Sequence, residues 1–432
     1  MVSLPMSIVL KNIKIVLLRL FHNNSRKAVF VLLTFFLTSS IARGEEIGIN
    51  EALDIFYKNN YDIVKNKYEI DKASADLLEA KLWLNPTISS NATGFDSNGS
   101  SITNTGNTQL AVRVDQPIRT GRKRELRVAS AKENLEAVKL SYKDFIRNIL
   151  SVFYTVYYNL CLDKLNIDFS RDELKRFEKT LEIAEKRHNT GFLSLNDYTK
   201  LKLARIELEN NLTNFQTKYL NDLEDFNLLL GSSKRLEPAK ILAQEDFWEY
   251  SEETLLEKAY NNRPDLLSIQ KQIKASEYSL SLAKAKRIPD ITVGLEYDSF
   301  GTVYKPGIGG GLSFELPLFN RNQGEISRRI AEHNQTQIQA EKVNKQIMTD
   351  VRQALSSYRG FVKVFGSYKS KKKEMENLLE NSEKAFSLGG ITVLDLIDTR
   401  RTYKDFITKY NQTLTQAMLS KELLKVYTGE TK

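Results

Sequence analysis

The stretch GGGLSFELPLFNRNQGEISRR, residues 309–329, decides the fold of this chain. Apolar and polar residues alternate from Leu312 to Leu316, which predicts a short β-strand with two different faces. Pro317 ends the alternation, because proline cannot donate a hydrogen bond to a sheet. After Gly324 the chain enters a long charged stretch that is typical of a helix. The stretch therefore predicts a two-faced strand joined directly to a very long helix.

The same arrangement occurs twice, because the chain contains an internal repeat. NNYDIVKNKYEIDKASADLLEAKLWLNPTIS starts at Asn59 and NNRPDLLSIQKQIKASEYSLSLAKAKRIPDITV at Asn261, with Asn-Asn, Lys-Ala-Ser, Ala-Lys and proline in the same order. VDQPIRTGRKR then corresponds to FELPLFNRNQG, and GFLSLNDY corresponds to GITVLDLI. The same motifs therefore occur in the same order in both halves of the chain. This indicates a duplication, with repeats at 43–230 and 231–432.

Each repeat contains two long segments that are almost free of glycine and proline, which predicts an α-helical hairpin. These segments are residues 122–190, 192–230, 325–388 and 391–428. The longer arm of each hairpin would reach about 100 Å, at 1.5 Å per residue. The hairpins are expected over 121–230 and 322–428, with their tips at Gly191 and Gly390.

Four stretches of about ten residues alternate between apolar and polar or small residues, and these are candidate β-strands. They lie near 87–96, 107–117, 289–299 and 308–317. A proline stands where each strand meets a helix, and the four are Pro86, Pro117, Pro289 and Pro317. In the last strand Leu312, Phe314 and Leu316 form the apolar face, whereas Ser313 and Glu315 form the polar face.

Strands of this length and pattern are typical of a transmembrane β-barrel, in which apolar side chains face lipid and polar ones face the lumen. Four strands cannot close a barrel, and a bilayer offers no hydrogen-bond partners to open edges. Two copies would give eight strands with a filled interior, whereas three would give twelve strands and an open lumen. The pattern therefore favours a homotrimer. A soluble sheet with one wet face is the alternative.

The N-terminus carries a predicted secretion signal over residues 1–42. Arg26 and Lys27 precede an apolar run at 28–37, and small residues follow it. The run is shorter than the roughly 20 residues that a spanning helix needs, so a cleaved signal is expected rather than an anchor. This segment holds five of the nine net positive charges of the chain. The remaining charge is too small to indicate a nucleic-acid partner.

The residues present in the sequence argue against a metal site, a dinucleotide site and a catalytic site. Cys161 is the only cysteine, and only His188 and His333 lie beyond the signal, so no cluster of metal ligands is expected. The glycines at 307–311 precede no helix of the kind that a dinucleotide site requires. No nucleophile and base stand at a catalytic spacing. We therefore predict no enzyme, no cofactor and no bound metal.

Four short segments carry a resemblance to a known family. They are Asn262–Leu266, Gln116–Ile118, Arg187–Ser194 and Gly389–Asp398. On these residues and on the repeat, the chain beyond the signal resembles the TolC-type outer-membrane efflux channels. The stretches at 116–127 and 316–326 are most similar to the CzcC-type branch, which is the heavy-metal branch of that family.

The resemblance implies a membrane protein of mixed α/β class that is mainly α-helical. Four transmembrane strands per chain would complete a twelve-stranded barrel in a homotrimer, and the coiled hairpins would form a periplasmic α-barrel. The implied partners are a periplasmic adaptor, an inner-membrane pump of the RND or ABC type, and outer-membrane lipid. The chain would be the exit duct of a tripartite efflux system in a Gram-negative cell, with heavy-metal cations as cargo.

The resemblance also implies a gate near the second hairpin tip. Asp395 and Asp398 match a pair of aspartates that ring the periplasmic constriction, and their spacing puts both on one helix face. Such a ring would favour cations, although two solvated acids at a helix start are the alternative. Asp197 matches the acid that helps to hold the gate closed, and Phe386 stands where a tyrosine is usual. Ile391 replaces the usual basic partner, so the family's charge lock is absent.

Five residues at the hairpin tips match the surface that contacts the adaptor in the family. They are Arg187, Gly191, Ser194, Gly389 and Gly390. Turn chemistry alone is the alternative for these positions, because glycine commonly ends helices.

The cargo and some rival functions stay open at this point. A channel for type I protein secretion or for drug efflux fits the same duct. A periplasmic adaptor or a coiled-coil scaffold also has long helices. Neither of these, however, needs the tandem repeat and the four two-faced strands.

Overall fold

The computed structural model describes residues 45–94, 109–240, 247–300 and 305–430. In chain order the elements are β1 (Glu45–Ile47), α1 (Ile49–Asn59), α2 (Tyr61–Lys81), β2 (Thr87–Thr93), β3 (Gln109–Ile118), α3 (Lys123–Asn189), α4 (Leu195–Leu230), β4 (Leu236–Pro238), α5 (Glu252–Asn262), α6 (Pro264–Ala285), β5 (Ile291–Phe300), β6 (Gly307–Phe314), α7 (Gln323–Leu388) and α8 (Val393–Tyr427). The predicted signal lies outside the described residues, as do the strand ends predicted at 95–96 and 107–108.

Two helical hairpins make up most of the described chain. The long arms α3 and α7 have 67 and 66 residues, which corresponds to about 100 Å each. The shorter arms α4 and α8 have 36 and 35 residues and pack back along them. Gly360 and Gly366 lie inside α7 without interrupting it. The chain therefore contains the two long hairpins that its breaker-free segments predict.

A four-stranded antiparallel sheet stands at the opposite end of the long helices from the hairpin tips. Its order is β2-β3-β5-β6, so β2 and β6 are the edges within one chain. The register aligns Thr87 with Asp115, Ile118 with Ile291, and Ile291 with Phe314. The four connections to helices consequently leave the sheet at the same end.

The two faces of this sheet differ in chemistry. Leu295, Ile308 and Leu312 belong to one face and are 63%, 84% and 72% exposed in the single chain. On the other face Arg113 Nε donates to Asp115 at 2.9 Å, and Arg113 Nη1 donates to Glu296 at 3.3 Å. The sheet thus presents an apolar face and a charged face, as the alternation predicts.

The last strand is shorter than predicted. β6 ends at Phe314, whereas we predicted a strand up to Pro317. The reason is that β5 begins at Ile291, directly opposite Phe314, so residues farther along have no partner strand. Glu315 and Leu316 therefore lie in the connection to α7, and their assignment to strand faces is wrong.

The other prolines that mark strand ends lie close to the junctions. Pro86 stands immediately before β2, and Pro289 precedes β5 by two residues. Pro117 lies within β3, one residue before its end and opposite Thr292. The pairing of β2 with β3 starts at Thr87 opposite Asp115, so no β2 partner is lost at Pro117.

The middle of the long helices carries short elements that the sequence pattern did not predict. β1 pairs with β4 in a small parallel ladder. The short helix α1 packs on α2 and α4, and the short helix α5 packs on α7. The core at this level contains the buried rings of Phe56, Phe153 and Phe226. Aromatic packing of this kind stabilises the helices well away from both ends.

The Asn262–Leu266 segment, at the junction of α5 and α6, is anchored to the long helix α7 of the same repeat. Arg263 is 1% exposed and forms salt bridges with Asp265 at 2.6 Å and with Asp350 on α7 at 2.8 Å. Its guanidinium is therefore fully paired despite its burial.

Each hairpin ends in a close backbone contact at this level, and the two contacts are equivalent. Gly231, at the end of α4, has φ +61°, and a Cβ there would lie 2.3 Å from the carbonyl oxygen of Asn59. Gly429, just after α8, has φ +78°, and a Cβ there would lie 2.9 Å from the carbonyl carbon of Asn262. Each hairpin thus closes on the turn between two helices of its own repeat, and both contacts require glycine.

We expect Gly231→Ala and Gly429→Ala each to lower the free energy of unfolding by about 2 kcal/mol or more. A left-handed conformation costs about 1–2 kcal/mol for an L-residue, and the backbone clash adds to this. The measurement is the midpoint of denaturant unfolding of the purified protein, monitored by the circular dichroism signal of its helices. Gly360→Ala is the matched control, because its helical position is open and alanine there is favourable. An equal midpoint for Gly231→Ala and Gly360→Ala would contradict the contact.

Candidate functional site

The two hairpin tips lie side by side and share a small apolar core. Its buried members are Phe177, Ala184, Tyr198, Leu201, Phe386, Val393 and Leu396. Arg187 from the first tip crosses to the second, where Nη1 donates to the carbonyl oxygen of Phe386 at 2.5 Å. Its guanidinium also stacks over the Phe386 ring, 5.0 Å from the centroid. Arg187, which we predicted for the adaptor surface, therefore joins the two tips within one subunit.

The end surface of the tips is exposed and partly apolar. Gly191, Ser194, Gly389 and Gly390 are exposed there, as an adaptor-contacting surface requires. Large apolar side chains surround them, with 79% exposure for Phe192, 64% for Leu195, 87% for Leu388 and 66% for Leu394. Sequence reasoning missed these four residues. The available signal was a large apolar residue beside each turn glycine, where a solvated turn would be polar.

Two of the predicted gate acids cap helices. Asp197 N–H donates to Ser194 Oγ at 3.1 Å, and Ser194 Oγ donates back to the Asp197 carboxylate at 2.9 Å. In the second repeat, Asp395 N–H donates to Thr392 Oγ1 at 3.2 Å, and the N–H of Thr392 donates to the Asp395 carboxylate at 3.1 Å. The Thr392 hydrogen bonds lower the pKa of Asp395. The Ser/Thr-x-x-Asp spacing is a capping-box signature, which sequence reasoning overlooked.

The other two predicted gate residues differ sharply in environment. Asp398 is exposed one turn along from Asp395, and its carboxylate pairs with no residue in the described ranges. Phe386 is 1% exposed inside the tip core. The Asp398 carboxylate is therefore accessible to solvent, whereas the Phe386 ring is packed inside the tip core.

A buried ion cluster lies along the helices from the tips and joins the two hairpins. Arg400 on α8 donates to Glu173 on α3 at 2.6 Å, to Thr180 on α3 at 2.7 Å, and to Glu383 on α7 at 2.6 Å. Its guanidinium also lies over the Phe177 ring, 5.0 Å from the centroid. Arg400 thus bonds to two other helices and ties α8 to both long arms.

This cluster is costly to bury and incompletely paired. Arg400 is 5% exposed and Glu173 is 2% exposed. Glu173 Oε2 and Arg400 Nε have no hydrogen-bond partner among the described atoms. Burial raises the pKa of Glu173, and the neighbouring Arg400 opposes that rise. The ion pair is therefore weak evidence for extra stability, but removal of either partner would leave an unpaired buried charge.

Sequence reasoning also missed this cluster. Glu173 and Arg400 are separated by 227 residues, and neither stands in a motif with a recognisable spacing. No local signal could have brought them together.

Other kinds of site have no support among the described residues. Residues 45–94, 109–240, 247–300 and 305–430 contain no group of three His, Cys, Asp or Glu side chains arranged to hold a metal ion. No helix in the same ranges has both the length and the apolar character needed to cross a membrane.

Comparison with known proteins gives a family for both halves of the chain. The family described as outer membrane efflux protein matches residues 52–232 and 255–430. Among curated relatives, the cobalt-zinc-cadmium resistance protein CzcC of Cupriavidus metallidurans is 20% identical over 364 residues, which cover 82% of this chain and 83% of CzcC. The pyoverdine export outer membrane protein OpmQ of Pseudomonas putida is 21% identical, over 63% of this chain and 60% of OpmQ.

Solved structures agree on the fold. The outer-membrane channel CusC superimposes with a TM-score of 0.75 at 15% identity, covering 88% of this chain and 91% of CusC. The open edges of the four-stranded sheet and the long hairpins are thus those of a TolC-like channel subunit. Because the family match extends over most of both repeats, the chain belongs to the outer membrane efflux protein family.

Proposed function

We propose that this protein is the outer-membrane exit duct of a tripartite efflux system and that its cargo is heavy-metal cations. The observation that carries the proposal is the open four-stranded sheet with one apolar face, joined to two hairpins of about 100 Å. A sheet with these faces suits a lipid bilayer. The hairpins extend from it into the periplasm.

Closure of the sheet requires further copies of the chain. Among the described residues β2 and β6 are the unpaired edges of the sheet, and β6 of one copy would pair with β2 of the next. Three copies give twelve strands around an open lumen, whereas two give a filled interior. We therefore propose a homotrimer.

The helices support the same assembly. They pack in the row α2-α3-α6-α7, which follows the strand order, so α2 and α7 are the outer members. Tyr61, Val64 and Tyr68 on α2 are 68%, 43% and 61% exposed in the single chain, and Ile338 on α7 is 64% exposed. Contact between α2 of one copy and α7 of the next would bury these side chains and close the helical tube.

The proposed partners are a periplasmic adaptor and an inner-membrane pump of the RND or ABC type. The apolar tip surface around Phe192 and Leu388 suits an adaptor, because exposed apolar patches rimmed by polar residues mark interaction sites. The duct itself supplies no energy and no chemistry. The pump would drive transport, and the channel would provide the passage.

Metal cargo is favoured by the match to CzcC, which spans more than four fifths of both chains. The match to OpmQ, named for pyoverdine export, covers less of either chain. Type I protein secretion and drug efflux are the alternative uses of the same duct. A water-filled passage need not bind its cargo, so the lack of a ligand cluster in the described residues is no objection.

Asp398 is the proposed cation-selective element of the gate. Three copies would bring three exposed carboxylates to one level of the tube, together with Asp395 one turn away. Such a ring attracts cations and repels anions. Asp395 would also hold the N-terminus of α8 through its capping box.

The ion cluster around Arg400 is the proposed means of holding the closed state. The usual basic partner at the tip is replaced by Ile391, which is partly buried. Arg400 instead fastens α8 and α7 to α3 from within the subunit. Movement of the second hairpin away from the first would break the bonds of Arg400 to Glu173 and Thr180 and expose the charges.

We expect Asp398→Asn to lower the cation-to-anion permeability ratio by about two- to fivefold, since a unit charge a few ångströms from an ion in water is worth about 1 kcal/mol. The measurement is reversal potential and conductance of single channels in planar bilayers. Asp395→Ala with Asp398→Ala should also raise the conductance. Asp54→Asn on the exposed side of α1 is the control and should leave both values unchanged. If the Asp398 variants conduct like the wild type, the gate assignment is wrong.

We expect Arg400→Met to lower the free energy of unfolding by about 3–5 kcal/mol, because it leaves buried carboxylates without a partner. It should also raise the open probability in planar bilayers. Arg401→Met, at the exposed neighbouring position, is the matched control. Adding Glu173→Gln and Glu383→Gln to Arg400→Met should recover much of the stability while the channel stays open more often. Indistinguishable behaviour of Arg400→Met and Arg401→Met would exclude a role in closure.

Deletion of the gene should sensitise the cell to zinc, cobalt, cadmium or copper, with the wild-type gene restoring resistance. Growth at graded metal concentrations is the measurement, with dyes and detergents tested in parallel. Sensitivity to dyes alone would favour drug efflux, and loss of a secreted polypeptide would favour type I secretion. Either result would overturn the metal assignment.

A further inference from the structure

The four connections between the sheet and the helices form one structural level, which we call the basic collar. It comprises residues 81–86, 119–127, 284–290 and 315–329. The strand register puts all four connections at the same end of the sheet, because Thr87 lies opposite Asp115 and Ile291 lies opposite both Ile118 and Phe314. The collar is therefore a single band directly below the apolar face.

The collar has an unusual charge. It contains twelve Lys and Arg residues and four Asp and Glu residues, a net charge of +8 in one chain. The whole chain has a net charge of +9, of which five belong to residues 1–42. The remainder of the chain beyond residue 42 is consequently net negative. The net positive charge of the chain beyond residue 42 is therefore concentrated in this one band.

Some of these cations hold the junctions together. Lys123 is buried, and its Nζ donates to Asp290 at 2.7 Å and to the carbonyl oxygen of Ile288 at 2.5 Å. Arg124 Nη2 donates to the carbonyl oxygen of Lys81 at 2.7 Å. These contacts join three of the four connections, so the collar is an ordered frame rather than a set of loose loops.

Other cations of the collar have no salt-bridge partner among the described residues. Lys81, Lys284, Lys286, Arg287 and Arg321 are exposed and form no salt bridge with any residue that the structure describes. Cations without a carboxylate partner, held on a rigid frame, are free to bind an external anion.

Large apolar side chains are interspersed with the free cations. Trp83 is 65% exposed and Phe319 is 92% exposed, and Leu82, Ile288 and Leu318 are also exposed. Arg124 lies over the Trp83 ring, 4.7 Å from the centroid. Aromatic residues mixed with Lys and Arg are typical of the boundary between a bilayer core and water.

We propose that the basic collar binds the phosphate groups of anionic phospholipids in the membrane leaflet that faces the helices. The inference rests on the proposed function, since it needs the apolar sheet face to lie in a bilayer. The collar continues that face at the level where headgroups begin. The aromatic side chains enter the boundary region, and the free cations meet the phosphates. The collar thereby fixes the depth of the channel in the membrane.

The combination of groups favours a lipid over a soluble anion. A soluble anion would suit the cations alone and would gain nothing from Trp83, Phe319 and Leu318. An anionic lipid satisfies both sets, because its phosphate meets the cations and its acyl chains continue the apolar face.

Trp83 offers a direct probe of the lipid beside the collar. The chain has two tryptophans, so Trp248→Phe leaves Trp83 as the only indole. The full-length trimer carrying this change would be reconstituted in phosphatidylethanolamine vesicles with a minority of phosphatidylglycerol. Either lipid would carry brominated acyl chains, which quench a nearby indole. We expect the quenching to show that phosphatidylglycerol is about three- to fivefold more concentrated beside Trp83 than in the bilayer as a whole. The reason is that each cation near an anionic surface contributes about 1 kcal/mol, which is about a fivefold change in local concentration.

Charge variants test the cause of the enrichment. Lys284→Gln, Lys286→Gln, Arg287→Gln and Arg321→Gln together should reduce it to about the bulk share. The matched control removes four lysines from the side of α7 by Lys363→Gln, Lys369→Gln, Lys371→Gln and Lys373→Gln, and it should keep the enrichment. Equal quenching by both brominated lipids in the wild type would overturn the proposal. Loss of the preference in both variants alike would overturn it too, because a general charge effect would then suffice.

The experiment separates this inference from the proposed function. A chain that fails to insert as a conducting oligomer contradicts the proposed function and the collar together. A channel that inserts and conducts without a lipid preference contradicts the collar alone. A different result would identify another anionic partner. In it, the wild type would show no lipid preference but would sediment with purified peptidoglycan, and the collar variant would not. That result would overturn the lipid assignment.

Discussion

Unpaired backbone groups at the edges of the four-stranded sheet are the constraint on which the rest of the structure depends. The outer sides of β2 and β6 have no partner strand in the part of the chain that the structure describes, so each leaves a row of N–H and C=O groups unpaired. In water these groups would be solvated, but in hydrocarbon each unsatisfied group costs several kcal/mol. A sheet with an apolar outer face therefore has to close with other copies of itself. The assembly is thus part of the folding problem of the single chain.

The register of the same sheet decides where the helices stand. Antiparallel pairing puts every strand-to-helix connection at one end, so the helices continue the strands in the order α2-α3-α6-α7. A tube of helices then follows from a ring of strands, because each strand directs one helix. The junctions must be stiff for this to work. The buried Lys123–Asp290 salt bridge and the hydrogen bonds across the connections provide that stiffness.

Local patterns predicted the hairpins, the two-faced strands and the repeat, because helix breakers and alternation are properties of neighbouring residues. The contacts of the tips could not be predicted in this way. Arg187 meets Phe386 across 199 residues, and Arg400 meets Glu173 across 227 residues. The shortened β6 also depends on a partner, since its end is set by the first residue of β5. The helix caps at Ser194 and Thr392 are different, because their Ser/Thr-x-x-Asp spacing is local and could have been predicted.

The charges near the tips divide into two kinds with different consequences. Asp398 is exposed, so its charge can act on a passing ion and can be removed at little expense to stability. Arg400 is buried between α3, α7 and α8, so it can act on no ion unless the helices separate. A channel with the proposed gate, which must open without unfolding, would benefit from this division. In the proposed closed state the buried charges would resist partial separation of the helices, because their bonds would break before water could replace them. In the proposed open state the exposed charges would then act on the entering ion.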